Sequence, residues 1–251
     1  MVYIGHGTPV KTFIFTFKNI SLRDYINHKI ENWNYKYIVA SSNRESENLQ
    51  KCFHKKSNSI LISGNPRNDL LRVTTDKFKT ENHRIFLYAP THREGKGTIL
   101  FPFKDIDMQR LNSFLTDNRI IIYLKTHIND RQSTQLNSLS SIKIITDDID
   151  LHTYMNEFDG LITDYSSLMV DFMLLERPII YLDYDREAYE NSRGFLYNFD
   201  EITPGKKPRT QEDFELSLLN KELPSQYLEI KKKFHKYEAG FTRRLVESVH
   251  F

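Results

Sequence analysis

At 251 residues the chain has room for one large domain or two modest ones, and its 27% charged and 13% aromatic content is that of an ordinary globular protein. The single cysteine, Cys52, excludes an intrachain disulfide, and no run approaches the roughly 18 uninterrupted apolar residues of a membrane span. The net charge of +2 is unevenly spread: residues 1–62 hold nine Lys and Arg against four Asp and Glu, a balance of +5, which leaves −3 for the rest. The opening MVYIGHGTPVK has neither the charged start nor the long apolar centre of a signal peptide. A cytoplasmic chain with at most peripheral membrane contact is therefore expected.

In chain order, residues 1–62 read as an α/β fragment. VYIG predicts a strand, KNISLRDYINHKI a helix, YKYIVA a strand and NRESENLQKCFH a helix. Short apolar runs bounded by turn residues follow: SILISG (59–64), RIFLYAP (84–90), RIIIYLK (119–125), IKIIT (142–146), GLITD (160–164) and PIIYLD (178–183). Helical patterns lie among them at DMQRLNSFLTDN (107–118), NDRQSTQLNSL (129–139), LHTYMNEF (151–158) and SSLMVDFMLLE (166–176). Continuously apolar strands alternating with helices predict a parallel sheet covered on both faces. Residues 63–220 are expected to form a complete Rossmann-like domain, 1–62 the end of another that is short by roughly half, and 221–251 two closing helices. The basic stretch KKKFHKYEAGFTRR (231–244) within them could attract phosphate polymers or anionic lipid, or be a solvated helical face.

TDYSS (163–167) ends a strand directly before an apolar helix, without any glycine. Ligands of open parallel sheets sit beyond the carboxyl ends of the strands. There the first-turn amides of the helix, with the hydroxyls of Ser166 and Ser167, could hold a phosphate. Asp171, the one polar residue of the helix, is spaced to accept the Ser167 hydroxyl proton. The plainer alternative is that Asp164 or Ser166 caps the helix.

Four further strand ends point toward an anionic ligand. In YIGHGTPVK, His6 between two glycines is suited to a cleft, where neutral imidazole takes protons near neutral pH. In GNPRND, Arg67 offers a fork for phosphate oxygens, or pairs with Asp69. YAPTHRE places Thr91 and Arg93 after a strand, and YLKTH places Lys125 and His127 after another. Arg67, Arg93, Lys125 and Ser166 are thus expected on the carboxyl side of one sheet, as a diphosphate site. No glycine-rich nucleotide loop is present. No metal-ligand spacing occurs either, so no metal or resident cofactor is expected, and His152 and His235 read as ordinary helix-face histidines.

Taken in order, GHGTPVK, WNYKYIVAS, GNPRNDLL, YAPTHRE, LKTH, the 161–185 stretch, SRGFLYNFDEITPG and YEAGFTRRLVE resemble the CDP-glycerol glycerophosphotransferases, builders of teichoic acids and related capsule polymers. The resemblance implies a GT-B-like architecture, with a donor-binding C-terminal domain and an acceptor-side N-terminal domain. It implies transfer of glycerol 3-phosphate from CDP-glycerol to the terminal hydroxyl of a lipid-linked polymer, with release of CMP. By the same resemblance His6 is the general base and His127 stabilises or protonates the leaving diphosphate. Ser166, Ser167, Arg67, Arg93 and Lys125 hold donor phosphate, and Asp164, Asp171 and Thr91 support them. The chain departs from the pattern at Gly5, where an aromatic residue is usual, at His92 and at Ile128. It also has only five residues before His6, which implies an upstream portion, a separate polypeptide or a remnant. Ribitol phosphate transfer and a non-catalytic CDP-polyol-binding fragment are the alternative functions. An anionic membrane surface is an expected partner, and nucleic acid is not.

Overall fold

The computed structural model describes residues 1–17, 20–91, 93, 98–125, 136, 139–145 and 149–249. The chain folds into two compact units. The first joins Met1–Arg72 with Asp185–Thr203 and Gln226–Phe251, and the second joins Val73–Tyr184 with Pro204–Ser225.

The first unit holds a parallel sheet of β1 (Val2–Tyr3), β2 (Tyr37–Ala40) and β3 (Ile60–Ile62) in that spatial order. Helix Leu22–Trp33 connects β1 to β2, and its first turn is closed by the Ser21 hydroxyl, which accepts from the Asp24 N–H at 3.1 Å. Helix Asn43–Phe53 connects β2 to β3. Ser42 accepts from the Glu45 N–H at 3.1 Å, while the Glu45 carboxylate reaches back to the Ser41 N–H at 2.5 Å. The Ser-x-x-Glu spacing of a capping box is present, with the carboxylate bonded one residue before the cap position. Ile38, Ala40, Leu49, Cys52, Phe53 and Ile60 form the core between these elements. Burial pushes the Cys52 thiol up to about 11, more than a hydrogen bond from Thr16 and the charge of Lys51 lower it.

The second unit contains β4 (Arg84–Ala89), β5 (Ile120–Lys125), β6 (Ile142–Ile145), β7 (Gly160–Thr163) and β8 (Ile179–Tyr181). All pair in parallel, in the spatial order β6-β5-β4-β7-β8. Their side chains are buried almost without interruption, as apolar runs covered on both faces must be. Chain order reverses between β4 and β7, so the crevice beyond the carboxyl ends of these two strands is the topological switch point. Glu157, just before β7, is buried and accepts from the N–H groups of Lys77, Phe78 and Lys79 and from the Thr75 hydroxyl. One carboxylate thereby fixes the whole entry segment of this unit.

The expected strands all form, and all are parallel. The units are divided differently from the expected blocks 1–62, 63–220 and 221–251. The stretch up to Arg72 stays with the first unit, and Asp185–Thr203 returns to it. The cause is local pairing: Lys11 bridges Phe195, the Leu196 N–H donates to the Val10 carbonyl at 2.9 Å, and Leu196 packs on the first core. Residues 166–176 form a shorter helix than expected, α-helical over Leu168–Phe172 and 3-10 over Met173–Leu175. Of the 129–139 helix, all but Leu136 and Leu139 lie outside the described residues.

The basic stretch near the end of the chain is mostly paired with residues in or beside it. Lys231 contacts Glu238, Lys233 contacts Glu229, Arg243 contacts Glu247, and the Arg244 guanidinium lies 4.0 Å from the Tyr237 ring centre. Helix Phe241–Ser248 begins at Gly240, which offers no side-chain cap, and Asp69 supplies one from a distant loop. Its carboxylate accepts from the Phe241 and Thr242 N–H groups at 3.0 and 2.9 Å. Burial pushes the Asp69 carboxyl up, but hydrogen bonds from Thr242, Phe241 and Gly240 outweigh it and leave the value below the ordinary 3.8. A depressed carboxyl stabilises the fold above its unfolded value and ceases to as pH falls through its folded one. Asp69→Ala should therefore cost about 1 kcal/mol near neutral pH. In urea unfolding, its difference from the parent should shrink as pH drops below the ordinary value; a pH-independent difference would contradict this account.

Candidate functional site

At the switch point of the second unit, β4 and β7 are joined past the last ladder bonds. Thr163 is the register partner of Ala89, and its hydroxyl donates to the Ala89 carbonyl at 2.7 Å. The next residue, Asp164, is buried. One of its oxygens accepts from the Thr91 N–H at 2.8 Å and the Tyr165 N–H at 2.6 Å, and the other accepts from Arg93 Nη1 at 2.8 Å. Arg93 Nη1 also donates to the Thr91 carbonyl at 2.6 Å. The guanidinium lies 5.1 Å from the Tyr165 ring centre and 5.6 Å from that of Tyr184. With the Arg93 side chain only 10% exposed, this is an ion pair held away from water, stacked and hydrogen-bonded at several points. Of the two residues offered as helix caps, Asp164 instead braces the two loops.

The serines divide the remaining roles. The Ser166 hydroxyl accepts from the Leu168 N–H at 3.3 Å, so it performs the capping. Ser167 is the N-cap residue of helix Leu168–Phe172, with no side-chain cap bond. Both serines are half-buried. Asp171 is fully buried, and His152 is one of its partners, with Nε2 3.3 Å from the carboxylate. The sequence alone marks His152 as an ordinary helix-face histidine. The one polar residue in an apolar helix signalled that a partner existed, but nothing in the sequence pointed to a residue 19 positions upstream. Lys125 ends β5 on the same carboxyl side of this sheet, half-buried. Its expected companion His127 lies outside the described residues.

Arg67 is not on this sheet. Its loop follows β3, which pairs with β2 in the first unit through Ile38 and Ile60, Val39 and Leu61, Ala40 and Ile62. Arg67 sits half-buried in the 3-10 turn Pro66–Arg72. In the same unit His6 follows β1, exposed and without a hydrogen-bond partner among the described residues. Gly5 and Gly7 on either side have φ of +63° and +110°, a region that only glycine enters without strain. The expected site residues thus belong to two units: Thr91, Arg93, Lys125, Asp164, Ser166 and Ser167 to the second, His6 and Arg67 to the first. Among the described residues no group of three or more His, Cys, Asp or Glu side chains is placed to hold a metal ion.

Comparison with known proteins adds the following. The model of the CDP-glycerol:poly(glycerophosphate) glycerophosphotransferase family matches residues 1–250. The teichoic acid ribitol-phosphate primase of Bacillus spizizenii is 30% identical over 199 residues, 72% of this chain and 50% of that protein. The teichoic acid glycerol-phosphate transferase of Staphylococcus aureus is 29% identical over 228 residues, 80% of this chain and 56% of that protein. The solved structure of the wall teichoic acid polymerase TagF superposes with a TM-score of 0.74 at 25% identity, over 96% of this chain and 65% of that one. That match bears out the expected GT-B-like α/β fold. The chain spans about half the length of the two named relatives.

Removing one partner from a buried ion pair leaves the other charge uncompensated. Arg93→Ala should therefore destabilise the protein by about 3 kcal/mol, and adding Asp164→Asn to it should restore part of the loss. Urea unfolding of the two single variants and the double variant tests this. Losses that simply add would show that the two side chains do not act on each other.

Proposed function

Since the chain belongs to the CDP-glycerol:poly(glycerophosphate) glycerophosphotransferase family, we propose that it transfers glycerol 3-phosphate from CDP-glycerol to the terminal hydroxyl of a teichoic-acid-like polymer. The acceptor oxygen bonds to the phosphorus that carries glycerol. The bond from that phosphorus to the bridging oxygen breaks, and CMP leaves with the electron pair. His6 takes the proton of the attacking hydroxyl; its exposure and its glycine-flanked loop suit a base that must meet a polymer end. The observation that carries the donor side is the braced turn at the switch point. Asp164 and Arg93 hold the loops that present Ser166 and Ser167, the Ser167 hydroxyl makes no cap bond, and Lys125 supplies positive charge on the same face. In this reading Arg93 acts chiefly as a strut of the turn, and Arg67 serves the His6 side. His127 keeps the leaving-group role that the resemblance implies.

The relatives named above include both glycerol- and ribitol-phosphate enzymes, so CDP-ribitol is the alternative donor, and a non-catalytic CDP-polyol-binding fragment is the alternative class. Calorimetry with each donor separates the first pair. Ser167→Ala should weaken binding of the true donor by about 10- to 100-fold, the loss of one charge-assisted hydrogen bond. His6→Ala should leave donor affinity nearly unchanged while lowering CMP release by about 10²–10⁴-fold. Unchanged affinity in Ser167→Ala would move the donor site elsewhere, and full turnover in His6→Ala would remove the base. Donor binding with no turnover in the parent chain would favour the fragment.

A peripheral membrane contact belongs to the same proposal, and helix Leu22–Trp33 supports it. Leu22, Ile26, Ile30 and Trp33 are exposed by 76%, 48%, 63% and 87%, and their spacing puts them on one face. Arg23 and Lys29 lie on the same helix, within the basic first quarter of the chain. An apolar stripe flanked by cations suits an anionic bilayer surface. No helix among the described residues is long and apolar enough to cross a membrane. Trp33 is the only tryptophan, so its fluorescence reports on this face alone. Anionic vesicles should shift its emission to the blue at low salt and much less at high salt, and Ile30→Glu should abolish the shift. No shift at low salt would dismiss the membrane contact.

A further inference from the structure

In the first unit, the GHGTPVK and GNPRND stretches lie at the carboxyl ends of β1 and β3, and one buried side chain joins them. Asn65, only 5% exposed, donates through Nδ2 to the Ile4 carbonyl at 3.2 Å, and its Oδ1 accepts from the Arg67 N–H at 3.2 Å. Ile4 directly precedes Gly5-His6-Gly7. Two glycines in the left-handed region give that loop little conformational preference of its own. Its shape must come from an outside anchor, and the Asn65 amide is one.

The anchor is itself clamped. The Gly64 N–H donates to the Ala40 carbonyl at 3.0 Å, which ties the loop after β3 to β2. Gly64 has φ +80°, and a Cβ placed there would meet the Phe241 ring at 2.2 Å, so the ring occupies the space that any other residue would fill. Asp69 at the far end of the loop holds the first turn of helix Phe241–Ser248 through the Phe241 and Thr242 N–H groups. The C-terminal helix therefore grips the GNPRND loop at both ends, and Asn65 passes that fixity to the backbone beneath His6. We propose that Asn65 is a positioning residue, which holds the His6 loop in its working shape through the Ile4 carbonyl. The proposal deepens the reading of His6 as the proton acceptor and rests on it for its effect on turnover, but not for its effect on the loop.

The test uses this chain and has two separate readouts. Backbone 15N order parameters from NMR should fall from the rigid range of about 0.85 toward about 0.6 or lower at Gly5–Gly7 in Asn65→Ala, while those of Ile38 and Val39 in β2 stay rigid. A merely structural role would lower both sets together, and unchanged order parameters at Gly5–Gly7 would overturn the proposal. Asn65→Asp should loosen the loop as well, because its carboxylate offers the Ile4 carbonyl no donor. For turnover, Asn65→Ala should lower kcat by about 10- to 100-fold, with KM for CDP-glycerol within about twofold of the parent. Combined with His6→Ala it should add no further loss, since it acts through His6; a further loss in the double variant would count against it. Lowered order parameters at Gly5–Gly7 together with full turnover in His6→Ala would remove His6 as the base and leave the anchoring role supported.

Discussion

A carboxylate taken out of water must be met by hydrogen-bond donors or it will destabilise the fold by several kcal/mol. Asp164 meets that demand with two backbone N–H groups and a guanidinium, and those donors come from the loops after two different strands. The demand is therefore also a constraint on geometry. The Thr91 loop, the Arg93 side chain and the Tyr165 turn have to arrive at one point, and the serines that follow the turn are carried to a fixed place beyond β7. A glycine-rich loop reaches comparable definition by letting backbone approach a phosphate closely. Here a side-chain anion orders the loops before any ligand arrives.

The same device recurs at lesser scale. Glu157 gathers the N–H groups of Lys77, Phe78 and Lys79 and so seats the segment that leads into β4. Asp69 gathers two N–H groups at the start of helix Phe241–Ser248, a helix whose own preceding residue is a glycine. In each case a short polar side chain replaces the partners that irregular backbone lacks. Loops held this way can be rigid without being long or regular, which is what a site built at strand ends requires.

How much of this was legible beforehand depends on what kind of information each feature carries. The apolar runs gave every strand, because burial on both faces of a parallel sheet imposes continuous hydrophobicity. They did not give pairing partners. Hydrophobic periodicity is the same whether Ile60–Ile62 lies beside β2 or beside β4, so Arg67 was assigned to the wrong sheet. The return of residues 185–203 to the first unit was hidden for the same reason, since it depends on Leu196 and Phe195 meeting Val10 and Lys11. Polar pairings between distant positions were the least readable. Asp171 announced a need for a partner, and only the fold identified His152. The buried bond from Asn65 to the Ile4 carbonyl belongs to the same class, since inside its motif Asn65 stands beside the more conspicuous charge of Arg67.

Charge bookkeeping at the switch point limits how a phosphate could be held there. Asp164 and Arg93 neutralise each other at 2.8 Å, so the brace contributes little net attraction for an anion. A helix of only five α-helical residues adds a modest dipole. Lys125 also lies on the described part of this face, together with hydrogen-bond donors that include the Ser167 hydroxyl and the amides around it. Lys125 is a point charge on a flexible stem, whereas the hydroxyl and amides are directional. Under the proposed donor binding, a cation would draw the diphosphate in and the braced turn would fix its orientation. Moving Arg93 out of the brace to bind phosphate directly would free a cation while leaving Asp164 as a buried, unpaired anion beside the ligand. The cost of that exchange is why the arginine is better understood as part of the turn.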